Sequence, residues 1–198
     1  MRITIMKNVI KFNHRPDHSL QRKLFNHQDS LFECYSKLIM LRIDFAYRKE
    51  SESFKYADIH QITSEMTLLI EQIKDISGIV GFAWVLEYGE QHRLHIHAAF
   101  YINGQRHQYI WPFWEGIRDL WEAMTHGEGY AHRCEPKSHY RVRGEQTISH
   151  DDDRGRHGMK HILSYLGKEN QRTERRVYQV SDIPEAKQRG RRRSIRKR

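Results

Sequence analysis

The feature that most constrains the fold is a pair of neighbouring segments, 79–88 and 94–102, that both have the composition of β-strands. The second segment, LHIHAAFYI, has hydrophobic residues at every other position, which is typical of a strand with one buried face. Only a short polar stretch separates the two segments, so we expect them to pair as an antiparallel hairpin. The sequence therefore predicts an antiparallel sheet with one face packed on a core.

The other periodic segments suggest how this hairpin is incorporated into a domain. Alternation predicts a strand over 38–47, and helical spacing predicts helices over 19–36, 53–76, 112–124 and 157–168. One or two further strands are expected within 138–148, after a glycine-rich turn at 127–129. From residue 38 onward the order strand, helix, strand, strand, helix, strand is that of a ferredoxin-like split arrangement. We expect an α+β fold, with an antiparallel sheet of about five strands, helices on one face and an open face for a substrate.

Length and charge limit the organisation of the chain. With 198 residues, among them 4 Trp, 10 Tyr and 8 Phe, it is long enough for one packed domain and too short for two ordinary ones. We expect a basic extension and helix at 1–37, a core domain at 38–170 and a basic tail at 171–198. The last ten residues contain seven Arg or Lys and no acid, so they carry most of the net charge of +9. The expected partner of this tail is a polyanion, bound either as a nonspecific tether or through a specific contact.

Three further patterns indicate the compartment. Cys34 and Cys134 are far apart in sequence and match no paired zinc spacing, which is typical of reduced thiols. The longest mainly apolar stretch, 76–86, is about half the length of a membrane span. The first ten residues do not have the pattern of a signal peptide. We therefore expect a cytoplasmic protein without a membrane contact.

The candidate chemistry begins with His95 and His97. Side chains two residues apart on a strand share a face, so both imidazoles project opposite the apolar set. In a hairpin centred near Gln91, Glu87 lies across from His95 at about 5 Å. Two imidazoles and one carboxylate with open coordination positions suit one hard divalent ion, Mg²⁺ or Mn²⁺. Taken alone, however, the His-x-His pattern is weak, because strand histidines often bind nothing.

The helix predicted at 157–168 supplies a second set of candidates. Helical spacing aligns His157, His161, Tyr165 and Lys168 on one stripe, opposite an apolar stripe. A phenol has a pKa near 10 and is a weak nucleophile at neutral pH, so a neighbouring cation that favours the phenolate makes chemical sense. The alternatives are a solvated helix face, or a separate metal pair formed by His157 and His161.

Together these motifs resemble the HUH endonuclease superfamily, and in particular its single-tyrosine rolling-circle replication initiators. The His-hydrophobic-His motif of the superfamily is matched by 95–97, its acidic ligand by Glu87, and its Tyr-x-x-Lys motif by 165–168. Segment 41–45, with Arg42 and Asp44, is similar to the first motif of short replication proteins of filamentous phages and prophages. Glu169 stands where two-tyrosine initiators carry their second tyrosine.

The resemblance implies a metal-dependent enzyme that nicks and joins single-stranded DNA through a 5′ phosphotyrosine, in rolling-circle replication or in mobilisation. In that scheme Glu87, His95 and His97 hold the ion, Tyr165 attacks the phosphate and Lys168 stabilises charge there. His161 would orient Tyr165. The candidates for contacts with the DNA are Arg42, Asp44, Arg93, Arg141 and Arg143.

The resemblance also implies a biological setting. The substrate would be single-stranded or hairpin DNA at a replication origin, in the cytoplasm of a bacterial host cell. A host helicase and polymerase would be partners, since the sequence contains no helicase segment. Two other functions stay open: a noncatalytic nucleic-acid-binding regulator with the same fold, and a zinc-stabilised interaction protein that uses His95, His97, His157 and His161.

Overall fold

The computed structural model describes residues 16–136, 144–168 and 177–185. The helices and strands of the described residues are, in chain order, α1 (His18–Cys34), β1 (Lys37–Tyr47), α2 (Glu52–Tyr56), α3 (Ile59–Ile73), β2 (Ile79–Gly89), β3 (Arg93–Asn103), α4 (Trp111–Met124), β4 (Gly129–Arg133), β5 (Ile148–Ser149), α5 (Asp153–Leu163) and β6 (Tyr178–Val180). Within these ranges no helix is both long and apolar enough to cross a membrane. The first fifteen residues of the basic extension and the arginine-rich end of the tail lie outside the described residues.

The strands form one antiparallel sheet in the order β4-β1-β3-β2-β6, and β5 pairs with the start of β1. Strand β3 is central, with β1 and β2 paired along its length. The predicted α+β fold with an antiparallel, ferredoxin-like sheet is confirmed. The predicted hairpin is confirmed as well, and Glu87 lies directly opposite His95 in its register.

Strand parity divides the side chains of the sheet between two cores. On one face, α3 and α4 pack over side chains that include Phe45, Ile96 and Phe100, and this is the helix-covered face that the sequence predicts. On the other face, α1 and α5 pack over Met40 and Tyr101, among others. The sequence does not predict this second layer. Helices α1 and α5 cover only part of the length of the strands. The end of the sheet that carries the His-x-His motif therefore lies outside the second core.

Helix α1 is packed against the sheet, although its sequence precedes the predicted core domain. Leu24 and Leu31 of α1 are fully buried in the second core. The Gln21 side-chain amide donates to the Ser164 carbonyl at 3.4 Å, and the Asp17 N–H donates to the Gly167 carbonyl at 2.9 Å. Helix α1 therefore holds the segment that follows α5.

Two predicted helices have different bounds in the structure. The helix predicted at 53–76 is divided into α2 and α3, because the Asp58 carboxylate accepts from the Gln61 N–H and caps a new helix after an extended Ala57. The helix predicted at 157–168 begins earlier and ends at Leu163. Residues 164–167 form turns, so Tyr165 and Lys168 follow the helix instead of lying on it.

The short strands of the structure also differ from the sequence prediction. Strand β4 begins at Gly129, where the sequence predicts only a turn, and β6 lies within the predicted tail. Of the strand region predicted at 138–148, residues 137–143 lie outside the described residues, and β5 has only two residues. Strands of two to five residues carry too little alternation to be recognised from sequence.

Shortening one buried leucine of α1 tests the importance of the second core. We expect Leu24→Ala to lower the free energy of unfolding by about 2–5 kcal/mol, because it leaves a cavity between α1 and the sheet. Leu68→Ala is the matched control: Leu68 is 50% exposed on α3, and its loss should cost less than about 0.5 kcal/mol. Urea unfolding measures both values. Equal midpoints for the two variants would contradict the packing of α1.

Histidine 27 of α1 makes the stability depend on pH. Burial lowers the pKa of His27, against the effect of its hydrogen bond to the Ser181 carbonyl. The unfolded chain therefore binds a proton more readily, and the contribution of His27 to stability falls as the pH drops below about 6.5. We expect His27→Gln to flatten the change in urea midpoint between pH 7.5 and 5.5. His60→Gln, at an exposed position of α3, should keep the wild-type change.

Candidate metal centre

The candidate centre is formed by Glu87 of β2 with His95 and His97 of β3. Their side chains share the face opposite α3 and α4, because the apolar residues of the same strands occupy the other face. Glu87 Oε2 lies 3.3 Å from His97 Nε2 and 3.8 Å from His95 Nε2. One ligand atom from each of the three residues lies within 4.8 Å of the others. This group can hold a metal ion, as the sequence predicts.

Both imidazoles are oriented through their Nδ1 atoms. His95 Nδ1 lies 3.0 Å from the Arg93 carbonyl oxygen, and His97 Nδ1 lies 2.6 Å from Asp44 Oδ1. A carbonyl and a carboxylate can only accept, so each Nδ1 carries a proton and donates it. Each Nε2 then faces Glu87. Metal-binding histidines are usually held in this way, by a carboxylate or carbonyl behind the ring.

The unsatisfied atoms of the group fit a cation. Glu87 is only 5% exposed. Among the residues that the structure describes, neither Glu87 Oε1 nor His97 Nε2 finds a hydrogen-bond partner, although both atoms are buried. A buried polar atom without a partner costs about 1–3 kcal/mol. A divalent ion between the imidazoles and the carboxylate would satisfy both atoms.

The charges of the group are balanced by its neighbours. Burial opposes ionisation of Glu87, but its contacts with His97 and Lys168 hold the pKa of Glu87 below its ordinary value. Burial likewise opposes protonation of His97, while Asp44 and Glu87 raise the pKa of His97 overall. Burial lowers the pKa of His95. A metal ion at this site must therefore compete with the proton on His97.

The segment after α5 meets this group. Lys168 Nζ lies 2.9 Å from Glu87 Oε2. Tyr165 is 39% exposed, and the Arg42 guanidinium lies 5.4 Å from the centre of its ring. Arg42 in turn lies 3.4 Å from Asp44 Oδ1. The tyrosine is thus connected to the candidate metal centre through Arg42 and Asp44, and through the lysine that follows it.

The remaining predicted residues lie in different surroundings. His161 is next to Tyr165, with ring centres 6.3 Å apart and nearly perpendicular planes. Arg93 is the first residue of β3, and its guanidinium lies 5.9 Å from the Phe54 ring. Arg141 and Arg143 lie outside the described residues. His157 is exposed, and in the described parts of the chain it joins neither His95 nor His97 in a metal-binding group.

Asp44, a predicted DNA contact, has partners in the structure that the sequence does not indicate. In the structure Asp44 accepts a hydrogen bond from His97, and the Cys134 side chain lies close enough to Asp44 to help lower its pKa. Burial raises the pKa of Cys134 to about 12, so this thiol stays protonated. The alternation in β1 already places Arg42 and Asp44 on the non-core side. The register that sets Asp44 beside His97 is not visible in the sequence.

Comparison with known proteins adds no relative. No protein-family model matches this chain, and neither the curated proteins nor the solved structures contain a match. The fold and the site therefore define the class directly: an α+β protein whose antiparallel sheet presents a candidate metal centre beside a tyrosine.

Replacing Asp44 tests whether its hydrogen bond to His97 supports metal binding. We expect Asp44→Ala to weaken Mn²⁺ binding about 10- to 100-fold, because His97 loses the carboxylate that fixes its ring. Asp44→Asn should fall between this variant and the wild type, since an amide oxygen still accepts from Nδ1. Isothermal titration measures the affinities. Asp119→Asn, an exposed aspartate on α4, is the control, and an effect equal to that of Asp44→Asn would contradict the role of Asp44.

Proposed function

We propose that this protein is a metal-dependent endonuclease that nicks and rejoins single-stranded DNA, with Tyr165 as its nucleophile. The observation that carries the proposal is the contact between Lys168 and Glu87. It brings the Tyr-x-x-Lys segment against the metal group, although the two are far apart in sequence. The resemblance of both motifs to the HUH superfamily supports the same chemistry.

The reaction is a transesterification at a phosphodiester. A divalent ion, Mg²⁺ or Mn²⁺, held by Glu87, His95 and His97 would supply Lewis-acid polarisation of the scissile phosphate. Tyr165 Oη forms a bond to phosphorus while the bond to the 3′ oxygen breaks. The phenol gives up one proton and the 3′ oxygen gains one. The products are a 5′ phosphotyrosine and a 3′ hydroxyl, and the reverse reaction rejoins the strand.

The cations around Tyr165 suit this step. Arg42, whose guanidinium lies 5.4 Å from the centre of the Tyr165 ring, can attract the phosphate that Tyr165 attacks. The Lys168 ammonium can reach a phosphate oxygen that lies next to Glu87, and there it opposes the developing negative charge. His161, whose ring centre lies 6.3 Å from that of Tyr165, helps to fix the orientation of Tyr165.

The biological substrate in this proposal is single-stranded or hairpin DNA at a replication origin. The 3′ hydroxyl then serves as a primer for a host polymerase, and a host helicase opens the duplex, within the bacterial cytoplasm. The basic tail adds a nonspecific attraction to the phosphate backbone.

A covalent adduct is the decisive test. We expect the protein with Mn²⁺ and a library of hairpin-containing single-stranded oligonucleotides to form a complex that survives denaturing electrophoresis. Tyr165→Phe should abolish the adduct, because it removes the attacking oxygen. Tyr109→Phe, which changes an exposed tyrosine in the same way, should retain it.

The same assay separates the competing functions. Binding of the oligonucleotides without an adduct in either Mg²⁺ or Mn²⁺ would contradict the nuclease and indicate a noncatalytic regulator. Tight stoichiometric zinc without DNA binding would indicate the zinc-stabilised protein. Sequencing the ends of the adduct DNA identifies the nick site.

A further inference from the structure

A cleft of about 610 Å³ opens at the same end of the sheet as the metal group, but on the helix-covered face. Its walls come from the end of β1, from α2 and the start of α3, and from the β2–β3 turn. The aromatic and charged residues of its lining are Tyr47, Phe54, Asp58, Tyr88, His92 and Arg93. Its volume is in the range of sites that bind small molecules or parts of larger ligands.

The lining has the chemistry of a nucleobase site. The rings of Phe54 and Tyr88 are partly exposed and offer flat apolar surface, and the Arg93 guanidinium lies 5.9 Å from the ring of Phe54. Aromatic rings beside an arginine bind single-stranded nucleic acid, because the rings stack with bases and the cation attracts the backbone. Asp58 and Ser53 add polar atoms to the otherwise apolar wall. The mixture of rings and a cation suits a nucleotide better than an uncharged apolar ligand.

Arg93 also connects this cleft to the metal group. Its backbone has a left-handed φ of 50°, which is uncommon for a residue with a side chain. Its side chain faces Phe54 in the cleft, while its carbonyl accepts the hydrogen bond from His95 Nδ1 on the other face. The residue that lines the cleft is thus the residue that orients a metal ligand. The neighbouring His92 also contacts His95, with ring centres 5.8 Å apart.

We propose that the cleft binds one base of the single-stranded DNA close to the nicked phosphate, against Phe54 and Arg93. The inference rests on the proposed function, because it assigns a place to one nucleotide of that substrate. In this arrangement the single-stranded DNA runs from the metal group around the β2–β3 turn, and a base next to the turn enters the cleft. Occupancy of the cleft then stabilises the Arg93 conformation that orients His95.

A matched pair of substitutions on α2 tests this site. Phe54→Leu keeps an apolar side chain but removes the ring, and Tyr56→Leu makes the same change at a position that is 77% exposed and does not line the cleft. Both are made with Tyr165→Phe, so that only binding is measured. We expect Phe54→Leu to weaken binding of fluorescein-labelled oligo(dT) in Mn²⁺ about 10- to 100-fold, and Tyr56→Leu to leave it unchanged. Thermal unfolding checks that both variants fold.

Photocrosslinking locates the base without a substitution in the cleft. Oligo(dT) that contains 5-iodouracil is irradiated with the Tyr165→Phe protein, and the peptides are identified by mass spectrometry. Trypsin cleaves after Lys55, between Phe54 and Tyr56, so the two residues fall in different peptides. We expect the crosslink in the peptide that ends at Lys55, or in the one that contains Tyr88.

The outcomes distinguish failure of the proposed base site from failure of the proposed nuclease function. If oligo(dT) binds equally well to the Phe54→Leu and Tyr56→Leu proteins and crosslinks only outside the cleft, the base site is overturned and the nuclease proposal stands. If the Tyr165→Phe protein binds no single-stranded DNA, the proposed substrate is wrong and the base site falls with it.

Discussion

The apolar side of β3 is the constraint on which the arrangement of this protein depends. Ile96, Ala98 and Phe100 are buried beneath α3 and α4, so β3 cannot slip by one residue without moving them onto the opposite face, where His95 and His97 now lie. The same slip would place His95 and His97 in the apolar core. Packing therefore fixes the face on which the imidazoles lie. The pairing of β3 with β1 and β2 then sets Asp44 and Glu87 beside them.

Charge balance is the second constraint, because ionised side chains are rarely buried without partners. Two carboxylates, Glu87 and Asp44, lie on this face, and three groups that carry or can carry positive charge, His97, Lys168 and Arg42, contact them. The negative charges of the carboxylates are therefore balanced before any ion arrives, although Glu87 Oε1 still lacks a hydrogen-bond partner among the described residues. An incoming cation exchanges with positive charge that is already present.

The parts of the fold that sequence predicts are those with long, regular periodicity. Alternation identifies β1, β2 and β3, and the short hairpin sets Glu87 against His95. The pairing of β1 with β3 is not local, so the hydrogen bond from His97 to Asp44 could not be predicted. The end of α5 at Leu163 depends on a tertiary contact as well, since Gly167 accepts from Asp17 at the start of α1. The cleft was missed because the break between α2 and α3 depends on the cap at Asp58, inside an otherwise helical pattern.

The contact between α1 and the segment after α5 also bears on when this site can form. The hairpin that carries Glu87, His95 and His97 is local, and such contacts form early in folding. Tyr165 and Lys168 reach their positions later, because they follow Ser164, which is held by a hydrogen bond from Gln21 across a separation of 143 residues. Long-range contacts of this kind form late and only after the later part of the chain has been synthesised. A nascent chain therefore has its candidate metal ligands well before it has Tyr165 in place, and the metal group and the tyrosine meet only in the finished fold.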